Sequence, residues 1–442
     1  MSSNMQKAAF MRGTDHMVIK EIPVPEVGEK EVLVQLEYVG ICGSDVHYYH
    51  TGRCGAYEVN LDEDFMLGHE CAGTVVKIGP GVENLKVGDK VALEPGITCG
   101  QCEFCKSGHY NLCPDVQFLA TPPVQGCYEE YIAFPENMCF KLPENMSTME
   151  GALIEPLSVG FYAAEQGDVH VGDTVVILGS GCIGLVTLLA CKAHGAGRTI
   201  VADLVDARLD KAKELGADYV INSGKSDILE ELKKITGGRG GDVVFETAGS
   251  PVTIAQTPFA VRRGGRIVLV GMSSQPEINY NFAQIMDKEA EIKSVFRYRN
   301  IYPKAIAAVA SGAVDVKKVV IAPYLTDGIR HHSHAVFQKR FCFLIIFCYR
   351  LVEELSLVPQ KGQNTLFTVL IHKKALLFFF TSQQAVLPEH APPYLSPFRK
   401  SPLRQALHFS WQWDVPPTPA SQYHYNYLPV PGTRPGILPE TP

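Results

Sequence analysis

From about Val171 the chain alternates short apolar runs with helix-length amphipathic ones, and no other feature constrains its fold as tightly. TVVILG, RTIVAD, YVIN, DVVFETAG and RIVLVG have strand length, whereas IGLVTLLACKAHG, ARLDKAKELGA, DILEELKKITG and TIAQTPFAVRRGG have helix length. Their alternation predicts a parallel, doubly wound α/β sheet, with a last strand near Glu291 to Ser294. Upstream, from Lys7 to about Glu150, EVLVQLEYVG, CAGTVVKIG and DKVALEPG are separated by Gly and Pro and read as a mostly β domain. A chain of 442 residues, 46% of them hydrophobic, has material for two such cores.

One turn in the α/β region points to a ligand. GSGCIG, Gly179 to Gly184, follows the strand TVVIL and opens a helix. In that setting Gly179 permits a tight turn, Gly181 lets backbone approach a pyrophosphate, and Gly184 lets helix and strand pack closely. The helix N-terminus adds the positive end of its dipole. Asp203 ends RTIVAD, 19 residues after Gly184 (203 minus 184). Its carboxylate can accept hydrogen bonds from ribose hydroxyls and would repel a 2′-phosphate, which favours NAD over NADP. Arg208, five residues on, could soften that discrimination. Ile183 in the same turn, with Val270 and Gly271 at the end of RIVLVG, completes the expected cofactor contacts.

The chain has 13 cysteines, and four of them, Cys99, Cys102, Cys105 and Cys113, fall in the polar loop CGQCEFCKSGHYNLC. The N-terminal MSSNMQKAAFMRGTDH has no apolar core of a secretory signal, so a reducing cytoplasm is expected and metal ligation is favoured over disulfides. Four thiolates at this spacing suit one tetrahedral ion with no open position, a structural zinc; ferrous iron or an iron–sulfur cluster would use similar ligands. A second constellation is scattered: Cys42 in GICGSDVHYY, His69 and Glu70 in GHECAG, and Glu155 in LIEPLSVG. Cysteine, histidine and carboxylate from separate segments suit a catalytic zinc, which keeps one position for water or substrate.

GHECAGTVVKIGPGV, the four-cysteine loop and GSGCIG together resemble the zinc-containing medium-chain alcohol dehydrogenases, continuously from about Lys7 to Val320. CGSDVHYY, IEPLSVG and SVFRYRN are similar to the polyol branch of that family. The resemblance implies a GroES-like catalytic domain over residues 1–157, an NAD-binding Rossmann domain over 158–295, and a return to the catalytic domain over 296–327. It implies Cys42, His69 and Glu70 as ligands of the catalytic zinc, with Glu155 as an alternative ligand beside the water. It further implies Ser44 and His47 as the proton relay, and Tyr48, Phe118, Arg297 and Tyr298 as the substrate pocket. The expected reaction is oxidation of sorbitol, xylitol or L-iditol to the 2-ketose by a cytoplasmic homotetramer. A zinc dehydrogenase of threonine or butanediol type is one alternative, and a non-catalytic nucleotide-binding remnant is another.

The remnant reading comes from the C-terminal part of the chain. Only three of 39 glycines but 14 of 29 prolines lie after Gly328, and HHSHAVFQKRFCFLIIFCYRL departs from the family pattern. Residues 328–442 are therefore expected to be a poorly ordered, divergent tail. The formal charge of −7, without a long Lys/Arg run, disfavours nucleic acid and anionic lipid as partners. The longest apolar run, FCFLIIFCY, is about half of a membrane span.

Overall fold

Five of the apolar runs downstream of Val171 fold as side-by-side strands: the β-branched residues of TVVIL, RTIVAD, DVVFE and RIVL are buried on both faces of a sheet, and YVIN forms its edge. The computed structural model describes residues 4–320, 322–325 and 345–348. Its N-terminal half is built on β1 (Glu31–Gly40), β2 (Cys71–Ile78), β3 (Lys90–Leu93), β4 (Tyr131–Pro135) and β5 (Cys139–Lys141). The order β5-β3-β2-β1 is antiparallel throughout, and β4 pairs with the first half of β1. Alternate β1 side chains, among them Val32, Val34 and Leu36, point into an apolar cluster with Met11, Phe65 and Phe134.

The second half is a six-stranded parallel sheet of β6 (Thr174–Leu178), β7 (Arg198–Asp203), β8 (Tyr219–Asn222), β9 (Gly241–Glu246), β10 (Val261–Leu269) and β11 (Glu291–Ser294). Its order, β8-β7-β6-β9-β10-β11, reverses direction at β6. Ligands of such sheets bind at this switch point, beyond the carboxyl ends of the strands. The helices α1 (Gly43–Thr51), α2 (Ile154–Gln166) and α3 (Cys182–Ala193) carry the residues of the candidate sites. Leu157 of α2, Leu188 of α3 and Phe245 of β9 share one cluster with Ala92 and Leu142 of the N-terminal half. Each such fully buried side chain contributes about 1.5–3 kcal/mol, so the two halves are fused by apolar burial.

Two expectations change. TIAQTPFAVRRGG is not one helical run: the helix is Pro251–Ala260, and VRRGG belongs to β10. The helix ends at Ala260 because β-branched Val261 is extended and pairs with Gly241 of β9. Residues Ile345–Cys348, expected to be without structure, form a strand antiparallel to β1 at Tyr38–Gly40, with Ala322–Leu325 parallel beside it. The remainder of the expected tail lies outside the described residues. Among the described residues, no helix is long and apolar enough to cross a membrane.

Candidate active site

Cys42 sits at the N-terminus of α1, where its amide donates to Asp45 Oδ2 at 2.8 Å. That carboxylate is fully buried, and its Oδ1 accepts the Gly68 amide at 3.0 Å, joining the start of α1 to the turn that carries His69 and Glu70. Gly68 has φ +92°, and a Cβ there would run into the Tyr128 ring, so only glycine makes this turn. The result brings Cys42, His69 and Glu70 together with their ligand atoms all within 4.8 Å of one another.

The residues fit a divalent metal on chemical grounds. His69 Nδ1 and Glu70 Oε2 are buried without hydrogen-bond partners, and Nδ1 lies 3.8 Å from Asp45 Oδ1, beyond hydrogen-bond range. Burial first, then the neighbouring Asp45 and Glu155 charges, pushes the Cys42 thiol up to about 12. Burial and the Cys42 and Glu155 charges push Glu70 far above the usual carboxylate range. Orphaned donors and acids driven toward their neutral forms are what a shared cation relieves. Gly40 belongs to the same cradle, since a Cβ there would collide with the Glu70 carboxylate.

Glu155, in the first turn of α2, stands outside that three-residue group. Its Oε1 accepts from the Tyr298 hydroxyl at 2.9 Å, and both side chains are buried. Tyr298, expected in the substrate pocket, is thus engaged by Glu155. Phe118 lies between the metal group and a cation: its ring is 5.7 Å from the His69 ring and 4.1 Å from the Arg297 guanidinium. Arg297 also stacks over Phe296 at 4.8 Å, and its Nη1 is buried without a hydrogen-bond partner. Tyr48 is buried, with Cys54, Tyr57 and Arg297 in electrostatic reach of its hydroxyl. Ser44 lies beside Cys42 at the start of α1 and opposes the rise of its thiol, and His47, one turn along α1, is exposed to solvent.

The four-cysteine loop folds as a tight lobe. Cys102 Sγ is 3.4 Å from Cys105 Sγ, Cys113 Sγ is 3.6 Å from Cys99 Sγ, and all four sulfurs lie within 4.8 Å of one another. These separations are far longer than a disulfide bond of about 2.05 Å. The amides of Gln101 and Cys102 lower the Cys99 thiol to about 7, while desolvation and the neighbouring sulfurs raise Cys102 and Cys113.

In the nucleotide turn, Gly179 has φ +106°, and a Cβ on Gly184 would strike the Gly179 carbonyl, the close helix–strand contact expected from the spacing. A Cβ on Gly181 would meet nothing within 4 Å, which leaves its face of the turn open for a ligand. Asp203 Oδ2 accepts the Ser180 amide at 2.7 Å and lies 3.7 Å from Arg208 Nη1, so both residues share the end of β7. Ile183 and Val270 pack against the core, and a Cβ on Gly271 would collide with the Gly249 amide. Two organising residues escaped sequence reading. Glu246, fully buried at the end of β9, accepts from the Ala248 and Gly249 amides and the Thr253 hydroxyl and shapes the facing turn. Asp45 was legible in principle, because Cys42 to Asp45 has the spacing of a capping pair.

The pattern of the alcohol dehydrogenase GroES-like domain matches residues 28–144, and that of the zinc-binding dehydrogenases matches 182–311. The chain is 50% identical to sorbitol dehydrogenase of Bacillus subtilis over 318 residues, 72% of this chain and 90% of the relative. It is 44% identical to human (Homo sapiens) sorbitol dehydrogenase over 313 residues, 70% of this chain and 87% of the relative. Among solved structures, an Escherichia coli oxidoreductase/dehydrogenase of unknown specificity superposes with a TM-score of 0.74 at 44% identity, covering 78% of this chain and 99% of that one. Similarity of this depth across nearly whole relatives means that the chain belongs to the zinc-containing medium-chain alcohol dehydrogenase family, on its sorbitol dehydrogenase branch.

Proposed function

We propose that this chain oxidises a polyol such as sorbitol, xylitol or L-iditol to the corresponding 2-ketose with NAD, as a cytoplasmic homotetramer. The observation that carries the substrate is Arg297, a partly buried cation whose enclosed Nη1 has no hydrogen-bond partner, one aromatic ring away from the Cys42–His69–Glu70 group. A simple alcohol offers nothing to that nitrogen, whereas the second hydroxyl of a polyol does. Tyr48 offers a further polar partner from α1.

Cys42, His69 and Glu70 would hold the catalytic zinc, which when bound supplies Lewis acidity toward the reacting hydroxyl. NAD held along the Gly179–Gly184 turn would supply the hydride acceptor. Ser44, beside Cys42, receives the hydroxyl proton, and exposed His47 passes it to solvent. Glu155, fixed by Tyr298, offers a further carboxylate beside the metal group. Asp203 at the end of β7 supports NAD over NADP, with Arg208 beside it as the residue that would relax that choice. The four-cysteine lobe would hold the structural zinc. Exposed Ile292, Phe282 and Met286 near edge strand β11 give subunits an apolar surface to bury.

The test is NADH formation with polyols and with simple secondary alcohols by the zinc-loaded protein. Arg297→Ala should lower kcat/KM for the polyol roughly 10- to 100-fold and leave 2-butanol within about twofold. A chain that reduces no NAD with any polyol refutes the reading.

A further inference from the structure

We propose that the four-cysteine lobe is more than a stabilising appendage: through Asn111 and Tyr110 it positions the Arg297–Asn300 segment and so sets the preference for polyols. This rests on the polyol reading above. The segment is conformationally unusual. Arg297 and Asn300 both have left-handed backbones, φ +56° and +57°. Side-chain-bearing residues hold that conformation only where surrounding contacts over-determine it, and arginine lacks the local hydrogen bonding that lets asparagine visit it easily.

Those contacts come from the lobe. Asn111 lies two residues before Cys113 and is 5% exposed. Its Nδ2 donates to the Phe296 carbonyl at 2.9 Å and its Oδ1 accepts from Arg299 Nη1 at 3.0 Å. One amide side chain therefore grips both flanks of the Arg297–Tyr298 pair. The Tyr110 hydroxyl accepts the Asn300 amide at 2.7 Å and donates to buried Glu94 at 2.8 Å. The Asn300 side chain donates to the Gly108 carbonyl at 3.1 Å. Glu94, Tyr110, Asn111, Phe118, Arg297 and Tyr298 line a single small cleft.

Arg297 itself contributes no hydrogen bond from its buried Nη1. Its place over Phe118 is therefore set by the backbone on either side, and that backbone is hydrogen-bonded to residues 108–111. Asn111 and Tyr110 are positioning residues: they act on substrate through Arg297, so their loss should be felt by an alcohol that uses Arg297 and not by one that does not.

The experiment compares sorbitol with 2-butanol on the full-length, zinc-loaded protein and on its Asn111→Ala and Tyr110→Phe variants, after checking that zinc content and Tm match the parent. Tyr110→Phe keeps the ring and guards against misfolding in Asn111→Ala. Each variant should raise KM for sorbitol about tenfold, leaving kcat and both parameters for 2-butanol within about twofold. Equal losses on both alcohols, or unchanged sorbitol KM in both variants, would overturn the proposal. A parent that oxidises 2-butanol but no polyol refutes the substrate reading and this inference with it, whereas a polyol preference that survives both variants refutes this inference alone.

Discussion

At the residue scale, burial acts on acids outside the metal group as well as within it. Burial raises the Glu129 carboxyl to about 8, opposed by a hydrogen bond from Gln6, and raises Glu94 to about 7. Both lie above the ordinary glutamate value of 4.5, so the folded chain holds protons that the unfolded chain releases. Their stabilisation is complete below about pH 4.5 and is lost as pH rises through 7 and 8. Glu129→Gln keeps the shape and removes one titration. The stability lost between pH 5 and pH 9 should shrink by on the order of 2 kcal/mol in urea melts, and parallel pH curves for parent and variant would refute it. Burial of this kind was not legible in the sequence, because EEY in YEEYIAFP has the look of a solvated charge run until Gln6 and the sheet close over Glu129.

At the element scale, the nucleotide turn was the most legible part, because everything it needs lies within one strand, one turn and one helix. Gly184 shows why: its lack of a Cβ is what lets α3 settle against the end of β6, and spacing alone identifies it. Gly184→Ala should weaken NAD binding at least tenfold, measured by titration calorimetry, and also lower Tm, since the added methyl must displace backbone. The boundary between the Pro251–Ala260 helix and β10 was less legible. Val-Arg-Arg-Gly-Gly fits a helix end and a strand start equally well, and pairing with β9 at Gly241 settles it. Glu246 was invisible for a related reason: a glutamate ending an apolar strand reads as exposed until two amides and Thr253 converge on it.

At the scale of the whole molecule, the two metal groups should separate on chelation. The Cys42–His69–Glu70 group offers three ligands and would leave a fourth position of its metal to solvent or substrate, whereas the cysteine lobe would close around an ion with four sulfurs. Mild chelation should therefore abolish turnover and remove one zinc with little change in Tm, followed by metal analysis and thermal melts. Cys102→Ser should lower both zinc stoichiometry and Tm, with activity falling as a consequence; an unchanged Tm would rule out a structural role for the lobe. The sequence by itself determined the kinds of chemistry present, a four-thiol loop and a glycine turn after a strand, because within a short segment spacing alone limits what side chains can reach. Only the tertiary structure decided how distant groups serve one site: Asp45 bridging Cys42 to the His69 turn, Tyr298 held on Glu155, and the cysteine lobe bonded to residues as many as 192 positions away. Those contacts depend on sheet register and on packing between the halves, which no local pattern encodes.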